Sequence, residues 1–182
     1  MNVPPIRTAR FELVSMSQRF MSLLLARDLD GASEELGVRV PDELPDQLDN
    51  FLQFRIVDLE EDPEAQPWLG RAIVLTALDG TRSFVGSAGF HTPPDDDGRV
   101  EVGYRVEPQH RRQGVATEVV RGLFDWAARE HGIHHFRASV APGNAPSRAI
   151  ISRLGFHQTG VQIDDIDGEE LVFELDGWTV TS

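Results

Sequence analysis

The sequence contains no cysteine, and this absence excludes three kinds of chemistry. A disulfide scaffold, a cysteine nucleophile and a thiolate-bound metal all require that residue. Long apolar runs are also missing, since the longest cluster, Met21 to Ala26, is short and contains Ser22. A membrane-spanning helix needs about 20 apolar residues, and the chain starts without the pattern of a secretory signal. We therefore expect a cytoplasmic protein that has no membrane partner.

Basic residues are scarce relative to acidic ones. Lys and Arg total 17 against 30 Asp and Glu, which gives a formal net charge of −13 at pH 7. Because nucleic acid is bound largely through its phosphates, this balance argues against nucleic acid as a main partner. An acidic surface attracts cationic partners such as amines or basic peptide tails, but it also serves solubility alone. The sequence leaves both interpretations open.

Two phosphate-binding patterns are absent as well. The chain has neither the G-x-x-x-x-G-K-[ST] string of a P-loop nor the G-x-G-x-x-G string of a dinucleotide-binding domain. It also shows no internal repeat and no low-complexity tract. Its 182 residues suit one domain of moderate size. We expect residues 1–182 to form that single domain.

The first third of the chain predicts a strand followed by helices. Residues 8–15 are strand-like, and Ser15-x-x-Gln18 resembles a capping box that opens a helix. Residues 30–45 are acidic and broken by glycines and prolines, so they predict a loop with at most one helical turn. Apolar residues at helical spacing predict a second helix over residues 44–59.

Strand patterns dominate the rest of the chain. The expected strands are residues 71–78, 83–90, 99–106, 134–140, 157–163 and 169–175, with hairpin turns at Asp79-Gly80 and Asp167-Gly168. The expected helices are residues 114–130, which are clearly amphipathic, and residues 147–154. The fold class is therefore α/β (α+β), with a mostly antiparallel mixed sheet flanked by helices. The strand–helix–strand unit over residues 100–140 should supply one right-handed parallel crossover.

The segment from Val100 to Thr117 carries the strongest chemical signal. A strand leads into a basic turn, and Gly114 opens a helix. Such a junction points backbone N–H groups and the positive end of a helix dipole at one place. It favours an anionic ligand such as a pyrophosphate. Three arginines crowd this turn of an otherwise acidic chain: Arg105, Arg111 and Arg112.

Two motifs make the chain resemble the GNAT superfamily of N-acetyltransferases. Arg111-x-x-Gly114-x-Ala116 is similar to the acyl-CoA signature [RQ]-x-x-G-x-[GA] of that family, and it lies between a strand and a helix as the family requires. Downstream, Asn144-x-x-Ser147 resembles the family's later motif, at a distance that accommodates one helix and one strand. Both motifs occur in the expected order.

Two further segments agree with this resemblance. The string R-L-G-F at residues 153–156 resembles the end of the later motif. The string R-T-x-R-F-x-L at residues 7–13 is similar to the start of the branch that contains ribosomal-protein N-terminal acetyltransferases. The resemblance implies the GNAT acyl-CoA N-acyltransferase fold over nearly the whole chain, with acetyl-CoA as co-substrate.

The resemblance also implies where the cofactor lies: the glycine turn cradles the pyrophosphate, and the strand end and later motif hold the pantetheine arm. The implied cofactor-binding residues are Arg105, Val106, Arg111, Arg112, Gln113, Gly114, Val115, Ala116, Thr117, Asn144 and Ser147. Gly114 lets backbone approach the phosphates, and arginines add charge-assisted hydrogen bonds. Each feature also has an ordinary structural interpretation: solvated arginines, a turn at Asn144, or a helix cap at Ser147.

The resemblance implies fewer candidates for proton chemistry. Glu101, on the strand that leads to the turn, is the candidate general base, directly or through a water; a solvent-facing strand glutamate is the alternative. Many family members carry a tyrosine acid where this chain has Ile151, and the only tyrosine here is Tyr104. Ser147 is therefore the candidate partner of the CoA thiolate, unless no acid is needed. The histidines lack a metal-binding pattern, so we expect no metal.

The implied function is an N-acetyltransferase that moves an acetyl group from acetyl-CoA directly to a primary amine. The acceptor would be a peptide or protein N-terminus or a small cationic amine, because residues 18–70 and the last hairpin are rich in carboxylates. One alternative is a GNAT-like acyl-CoA-binding module without catalysis, in a sensing or structural role. Another is an unrelated phosphate-binding or interaction domain. A homodimer is the family default.

Overall fold

The computed structural model describes residues 3–165 and 168–180. Within these ranges the chain forms eight strands, all in one mixed sheet, and five α-helices. The expected turn residue Asp167 lies outside the described residues.

The sheet has the strand order β1-β2-β3-β4-β5-β6-β8-β7. The strands are β1 (Ile6–Arg7), β2 (Phe11–Ser15), β3 (Arg71–Thr76), β4 (Arg82–Phe90), β5 (Arg99–Val106), β6 (His135–Val140), β7 (His157–Asp164) and β8 (Gly168–Leu175). Strands β5 and β6 are parallel, and the other neighbouring pairs of described strands are antiparallel. The expected fold class and its parallel pair are confirmed.

The helices are α1 (Gln18–Leu25), α2 (Leu29–Leu36), α3 (Leu44–Glu61), α4 (Val115–His131) and α5 (Ala145–Arg153). The loop expected over residues 30–45 is wrong, because α2 occupies its first part. Asp28 caps α2 by accepting from the Gly31 N–H, Gly37 ends it with φ +71°, and Ala32 and Leu36 are buried. These end signals and this burial outweigh the glycine inside the helix.

Two other local predictions at the N-terminus need correction. The strand expected over residues 8–15 begins only at Phe11, because the Thr8 side chain and backbone close a turn onto Phe11, and a separate short strand, β1, precedes this turn. The expected capping box at Ser15 is also wrong. Ser17 caps α1 by accepting from the Phe20 N–H at 3.0 Å, while Ser15 is still in β2, opposite Arg71.

The sheet separates two apolar clusters, one on each face. Ile73 belongs to the cluster under α4 and α5, whereas its neighbours Ala72 and Val74 belong to the cluster under α1, α2 and α3. This alternation follows from the strand geometry, since successive side chains point to opposite faces. The buried face of α4 contributes most of its apolar side chains, including Leu123 and Phe124. The helix that starts at the basic turn is thereby fixed rigidly against the sheet.

Candidate functional site

The sheet opens between its two parallel strands. Strand β5 pairs with β6 only from Arg99 to Glu101, where Glu101 lies opposite Arg137. Beyond that point β5 stays paired with β4 as far as Val106, opposite Gly86, while β6 stays paired with β8. The two strands therefore diverge, and a wedge-shaped gap lies between the second half of β5 and the end of β6.

Close packing holds the end of β5 in place. A Cβ at Gly86 would lie 2.1 Å from the backbone oxygen of Arg105, and Gly86 has φ +156°. Only glycine can bring β4 so near to β5 at this point. The end of β5 is thus supported on the β4 side and open on the β6 side.

The turn after β5 points unused N–H groups into one place. A short 3-10 helix, Pro108–His110, leads to Arg112 with φ +59° and to Gly114 with φ +77°, after which α4 begins at Val115. Left-handed residues alternating with others direct successive N–H groups to one side, and the helix dipole adds positive potential. Within the described part of the chain, the N–H groups of residues 112–117 donate to no other residue. The turn is therefore suited to bind an anion.

The wedge and the turn open into one cleft of about 950 Å³. Its wall includes Tyr104, Arg105, Val106, Arg111, Arg112, Gly114, Val115, Ala116, Thr117, Asn144, Ser147 and Arg153. Four of these residues are arginines, and no carboxylate belongs to the part of the wall that the structure describes. In a chain of charge −13, this local positive potential favours a polyanionic ligand.

The structure brings most of the residues implied by the sequence to this cleft, with two exceptions. Gln113 does not line it, because its side chain donates to the Gln109 oxygen and its own carbonyl accepts from Arg10. Glu101 lies outside the wall of the cleft, at the point where β5 and β6 diverge. A role for Gln113 through its backbone N–H remains compatible with this position.

Asn144 and Ser147 of the later motif have different structural roles, which the sequence did not determine. The Asn144 side-chain oxygen accepts from the Ser147 N–H at 3.2 Å and caps α5. The helix therefore begins at Ala145 rather than at Ser147, and the interpretation of Ser147 as the helix cap is wrong. The Ser147 hydroxyl is left at the cleft wall. Ile151, one turn further on, is fully buried and does not line this cleft.

A polar network from the N-terminal hairpin supports the turn, and sequence analysis did not identify it. Arg10 donates to the Gln113 oxygen at 3.1 Å and pairs with Glu118 at 2.6 Å, and Thr8 donates to the same carboxylate. Burial raises the pKa of Glu118, but the hydrogen bonds from Arg10 and Thr8 outweigh it and leave the pKa below its ordinary value. Glu118 thus stays ionised, and Arg10 neutralises it beside the anion-binding turn.

A second cleft of about 710 Å³ lies between α3 and strands β4 and β5. Its wall includes Asp46, Gln47, Asp49, Phe51, Phe54, Arg55, His91, Gly103, Tyr104 and Arg105. Tyr104 and Arg105 belong to both clefts, so the two spaces meet at the end of β5. Arg105 also donates to the Gln47 side chain and pairs with the buried Glu107, which ties β5 to α3.

His91 is a further residue that sequence analysis missed. Its Nδ1 lies 3.8 Å from the Glu101 carboxylate, and its backbone N–H donates to the backbone carbonyl oxygen of Glu101. A Cβ at Gly103 would lie 2.7 Å from the His91 ring, so the glycine makes room for it. His91 is about half exposed in the second cleft. His91 thus connects Glu101 to the second cleft. The sequence signal that could have identified His91 is the spacing of two residues between Glu101 and Gly103, both of which approach its ring.

Comparison with known proteins identifies the family. The sequence model of the acetyltransferase (GNAT) domain matches residues 30–157, which is more than half of the chain. The chain belongs to the GNAT acetyltransferase family. An uncharacterised N-acetyltransferase of Bacillus subtilis, YoaA, is 31% identical over 81 residues, which are 44% of this chain and 46% of that protein. The matched segment thus spans less than half the length of this curated relative.

Solved GNAT structures confirm the fold. A putative ribosomal-protein-serine acetyltransferase from Vibrio cholerae superposes with a TM-score of 0.65 at 18% identity, covering 96% of this chain and 99% of that one. RimJ of Mycobacterium smegmatis, in complex with a CoA disulfide, superposes with a TM-score of 0.59 at 19% identity over 96% of this chain and 86% of that one. In the described residues no group of three or more His, Asp or Glu side chains could hold a metal ion. No helix of the described ranges is long and apolar enough to cross a membrane.

Proposed function

We propose that this protein is an N-acetyltransferase that transfers the acetyl group of acetyl-CoA directly to a primary amine. One observation carries the proposal: the anion-binding turn at Arg112–Gly114 and the gap between β5 and β6 open into the same cleft. A CoA molecule needs both, since its diphosphate is anionic and its pantetheine arm resembles an extended peptide. Membership of the GNAT family supports this assignment.

The residues of the first cleft would bind and orient the donor. The N–H groups of residues 112–117 would hold the diphosphate, with added charge from Arg111 and Arg112. The end of β5 at Arg105 and Val106 would align the pantetheine arm, and Asn144 would hydrogen-bond it from the position that caps α5. Arg111 is already engaged with β5, because its Nε donates to the Val106 oxygen at 2.8 Å. The strand end and the phosphate turn therefore act as one rigid unit.

The second cleft would bind the acceptor amine. Bound there, an amine would approach the donor at Tyr104 and Arg105, where the clefts meet. Asp46 and Asp49 lie in its wall and favour a cationic acceptor, such as a peptide N-terminus or a small polyamine. Asp46 already pairs with Arg27, so Asp49 is the carboxylate that is freer to attract the acceptor.

Glu101 would accept the proton that the amine loses. Acetyl-CoA supplies the acetyl group as a thioester; the new bond joins the amine nitrogen to its carbonyl carbon, and the carbon–sulfur bond breaks. An α-amine with a pKa near 7.7–8.0 is partly neutral at physiological pH, whereas a lysine amine with a pKa near 10.4 is almost fully protonated. Transfer to an N-terminus therefore needs less help from a base. His91, between Glu101 and the second cleft, would pass the proton to solvent.

A non-catalytic acyl-CoA-binding module is the second candidate function. The buried Ile151, at the position where many family members have a tyrosine acid, favours it. The two candidates share the cofactor cleft and differ only in turnover. The homodimer, the cytoplasmic location and the single domain over residues 1–182 stay predictions.

The test is thiol release from acetyl-CoA, measured with a thiol-reactive dye across peptide α-amines, lysine peptides, polyamines and aminoglycosides. Since the chain has no cysteine, it contributes no background signal. Release with one class of amine would establish both the activity and the acceptor. Binding of acetyl-CoA without release from any amine would support the non-catalytic module. Failure to bind acetyl-CoA would contradict both.

A further inference from the structure

Arg55 of α3 is a cation that lies in the wall of the second cleft. Only 17% of its side chain is exposed, and its guanidinium carbon lies 5.6 Å from the centre of the Phe51 ring. Phe51 can take this position because Gly70 leaves room for it, since a Cβ at Gly70 would lie 2.5 Å from the ring. The guanidinium is therefore held in place by packing against the cleft wall.

The protein uses only part of the hydrogen-bonding capacity of Arg55. Its Nη1 donates to the backbone oxygen of His91 and lies 3.3 Å from the Asp58 carboxylate. Among residues 3–165 and 168–180, its Nε is buried without a partner, and no group accepts from its Nη2. A guanidinium has five N–H donors, and a buried polar group without a hydrogen bond is unfavourable. Nη2 is thus available to a ligand in the second cleft.

Asp58 compensates the charge of Arg55 only in part. The Asp58 side chain is 44% exposed and does not belong to the cleft wall, so water screens its attraction for the guanidinium. Burial lowers the pKa of Arg55, and the attraction of Asp58 opposes that decrease without cancelling it. The cleft side of the guanidinium therefore keeps a positive potential, which an anionic group of a ligand would neutralise.

Arg55 also lies beside the proposed proton acceptor, Glu101. The backbone oxygen of His91 accepts from Arg55, and the ring of the same histidine lies 3.8 Å from the Glu101 carboxylate. Because Arg55 and Glu101 both contact one residue, a ligand the size of an amino acid can reach both of them. Asp49 adds a negative charge to the same wall, so the cleft offers groups of both signs.

We infer that the second cleft selects an acceptor amine that carries a carboxylate a few atoms away, with Arg55 binding the carboxylate while the amine faces Glu101. Guanidinium N–H groups form short, charge-assisted hydrogen bonds with carboxylates. One free nitrogen beside Asp46 and Asp49 favours a singly charged anion over a phosphate. The inference rests on the proposed function, because it names the acceptor of the same transfer.

Two sources share this chemistry: a free amino acid, and a peptide N-terminus that is followed by an acidic side chain. The exposed ring of Phe54, next to Phe51 on the same face of α3, offers an apolar surface for the rest of either molecule. Leucine is therefore a suitable probe for the first source, and a peptide with Glu as its second residue for the second.

The first experiment compares each probe with a partner that lacks the carboxylate: leucine with leucinamide, and the Glu peptide with its Gln counterpart. Thiol release from acetyl-CoA gives kcat/KM for each acceptor. Since a carboxylate also changes the pKa of a nearby amine, the informative quantity is the acid-to-amide ratio in a variant relative to the wild type. We expect Arg55→Gln to lower this ratio about tenfold for one pair, the scale of a charge-assisted hydrogen bond. The pair that responds identifies the source.

Two further variants serve as the control and as an independent test. Arg121→Gln changes an exposed arginine of α4 outside both clefts and should leave the ratio unchanged. Asp58→Asn removes the carboxylate that competes for Arg55, so it should lower the KM of the carboxylate-bearing acceptor about twofold without changing the KM of its amide. Because Asp58 is partly exposed and outside the cleft wall, this variant decides the question if Arg55→Gln does not fold.

The outcomes distinguish the inference from the proposed function. Equal losses for acid and amide in Arg55→Gln would assign Arg55 a structural role and overturn the inference, while the transfer itself would stand. If Arg55→Gln does not fold, an unchanged KM in Asp58→Asn would overturn it.

If no acceptor released thiol, the proposed transfer would fail, and calorimetric titration of the same four probes into the protein with CoA would test Arg55 separately. Tighter binding of a carboxylate-bearing probe than of its amide, lost in Arg55→Gln, would support the inference. Equal binding of acid and amide would overturn it.

Discussion

The two clefts share Tyr104 and Arg105 but are built from different kinds of group. The first is shaped by backbone: diverging strands, a turn with two left-handed residues, and the start of α4. The second is lined largely by side chains of α3, including Phe51, Phe54 and Asp49. Backbone shape suits a donor that is the same in every reaction, whereas side chains can change with the acceptor. We infer that the acceptor preference of this protein lies in α3.

The largest effect is expected at Glu101, which His91 connects to the second cleft. Replacing Glu101 with Gln should lower kcat about 100-fold, because a positioned general base contributes on that scale. Binding of acetyl-CoA should be unaffected, because Glu101 lies outside the first cleft. Steady-state kinetics combined with calorimetry of acetyl-CoA binding check both statements.

The matched control for this change is Glu130→Gln, at the exposed far end of α4. An unchanged kcat for Glu101→Gln would assign the proton to another group or to solvent. It would also indicate that Glu101 has only a structural role beside His91.

An intermediate effect is expected from a change in the backbone of the first cleft. Replacing Gly114 with Val should weaken acetyl-CoA binding about 30-fold, since a β-branched residue at φ +77° is strained and would change the backbone of the turn that is proposed to hold the diphosphate. The second cleft contains no part of this turn and should be preserved. Calorimetric titration with acetyl-CoA measures the loss.

The matched control is Gly160→Ala. No atom lies within 4 Å of a Cβ added at Gly160, and the φ of Gly160 is not positive. This variant should bind acetyl-CoA as the wild type does. Equal binding by Gly114→Val would contradict the placement of the diphosphate at this turn.

The smallest effect is expected from the replacement of one charged side chain in the second cleft. Replacing Asp49 with Asn should raise the KM of a cationic acceptor about threefold to fivefold, the scale of one exposed charge pair. The KM for acetyl-CoA should not change, and the difference should shrink at high salt because exposed charges are screened. Asp97→Asn, in the exposed loop before β5, is the control.

The distinction between a donor cleft and an acceptor cleft would be contradicted if Asp49→Asn changed the KM for acetyl-CoA instead of the KM for the acceptor. It would also be contradicted if Asp49→Asn raised the KM of a neutral acceptor as much as the KM of a cationic one. Either result would remove α3 as the site of acceptor preference.

The sequence predicted the elements whose signals are local. Strand β5 has the expected bounds, and α4 begins directly after Gly114, because the glycine, the basic turn and the amphipathic pattern lie within 20 residues of each other. The cleft residues Arg111, Arg112 and 114–117 followed from the same stretch. Helix α2 was missed because its short, acidic, glycine-containing sequence does not favour a helix by itself, and contacts with α1 stabilise it.

Sequence by itself therefore determined the turn at Gly114, the strand that leads to it and the family, because backbone geometry at Gly114 and the helix after it are encoded by neighbouring residues. Only the tertiary structure decided which distant side chains meet there. It placed Arg10 on Gln113 and His91 beside Glu101. These contacts join residues more than 9 positions apart, and they depend on how strands and helices pack, which no local pattern records.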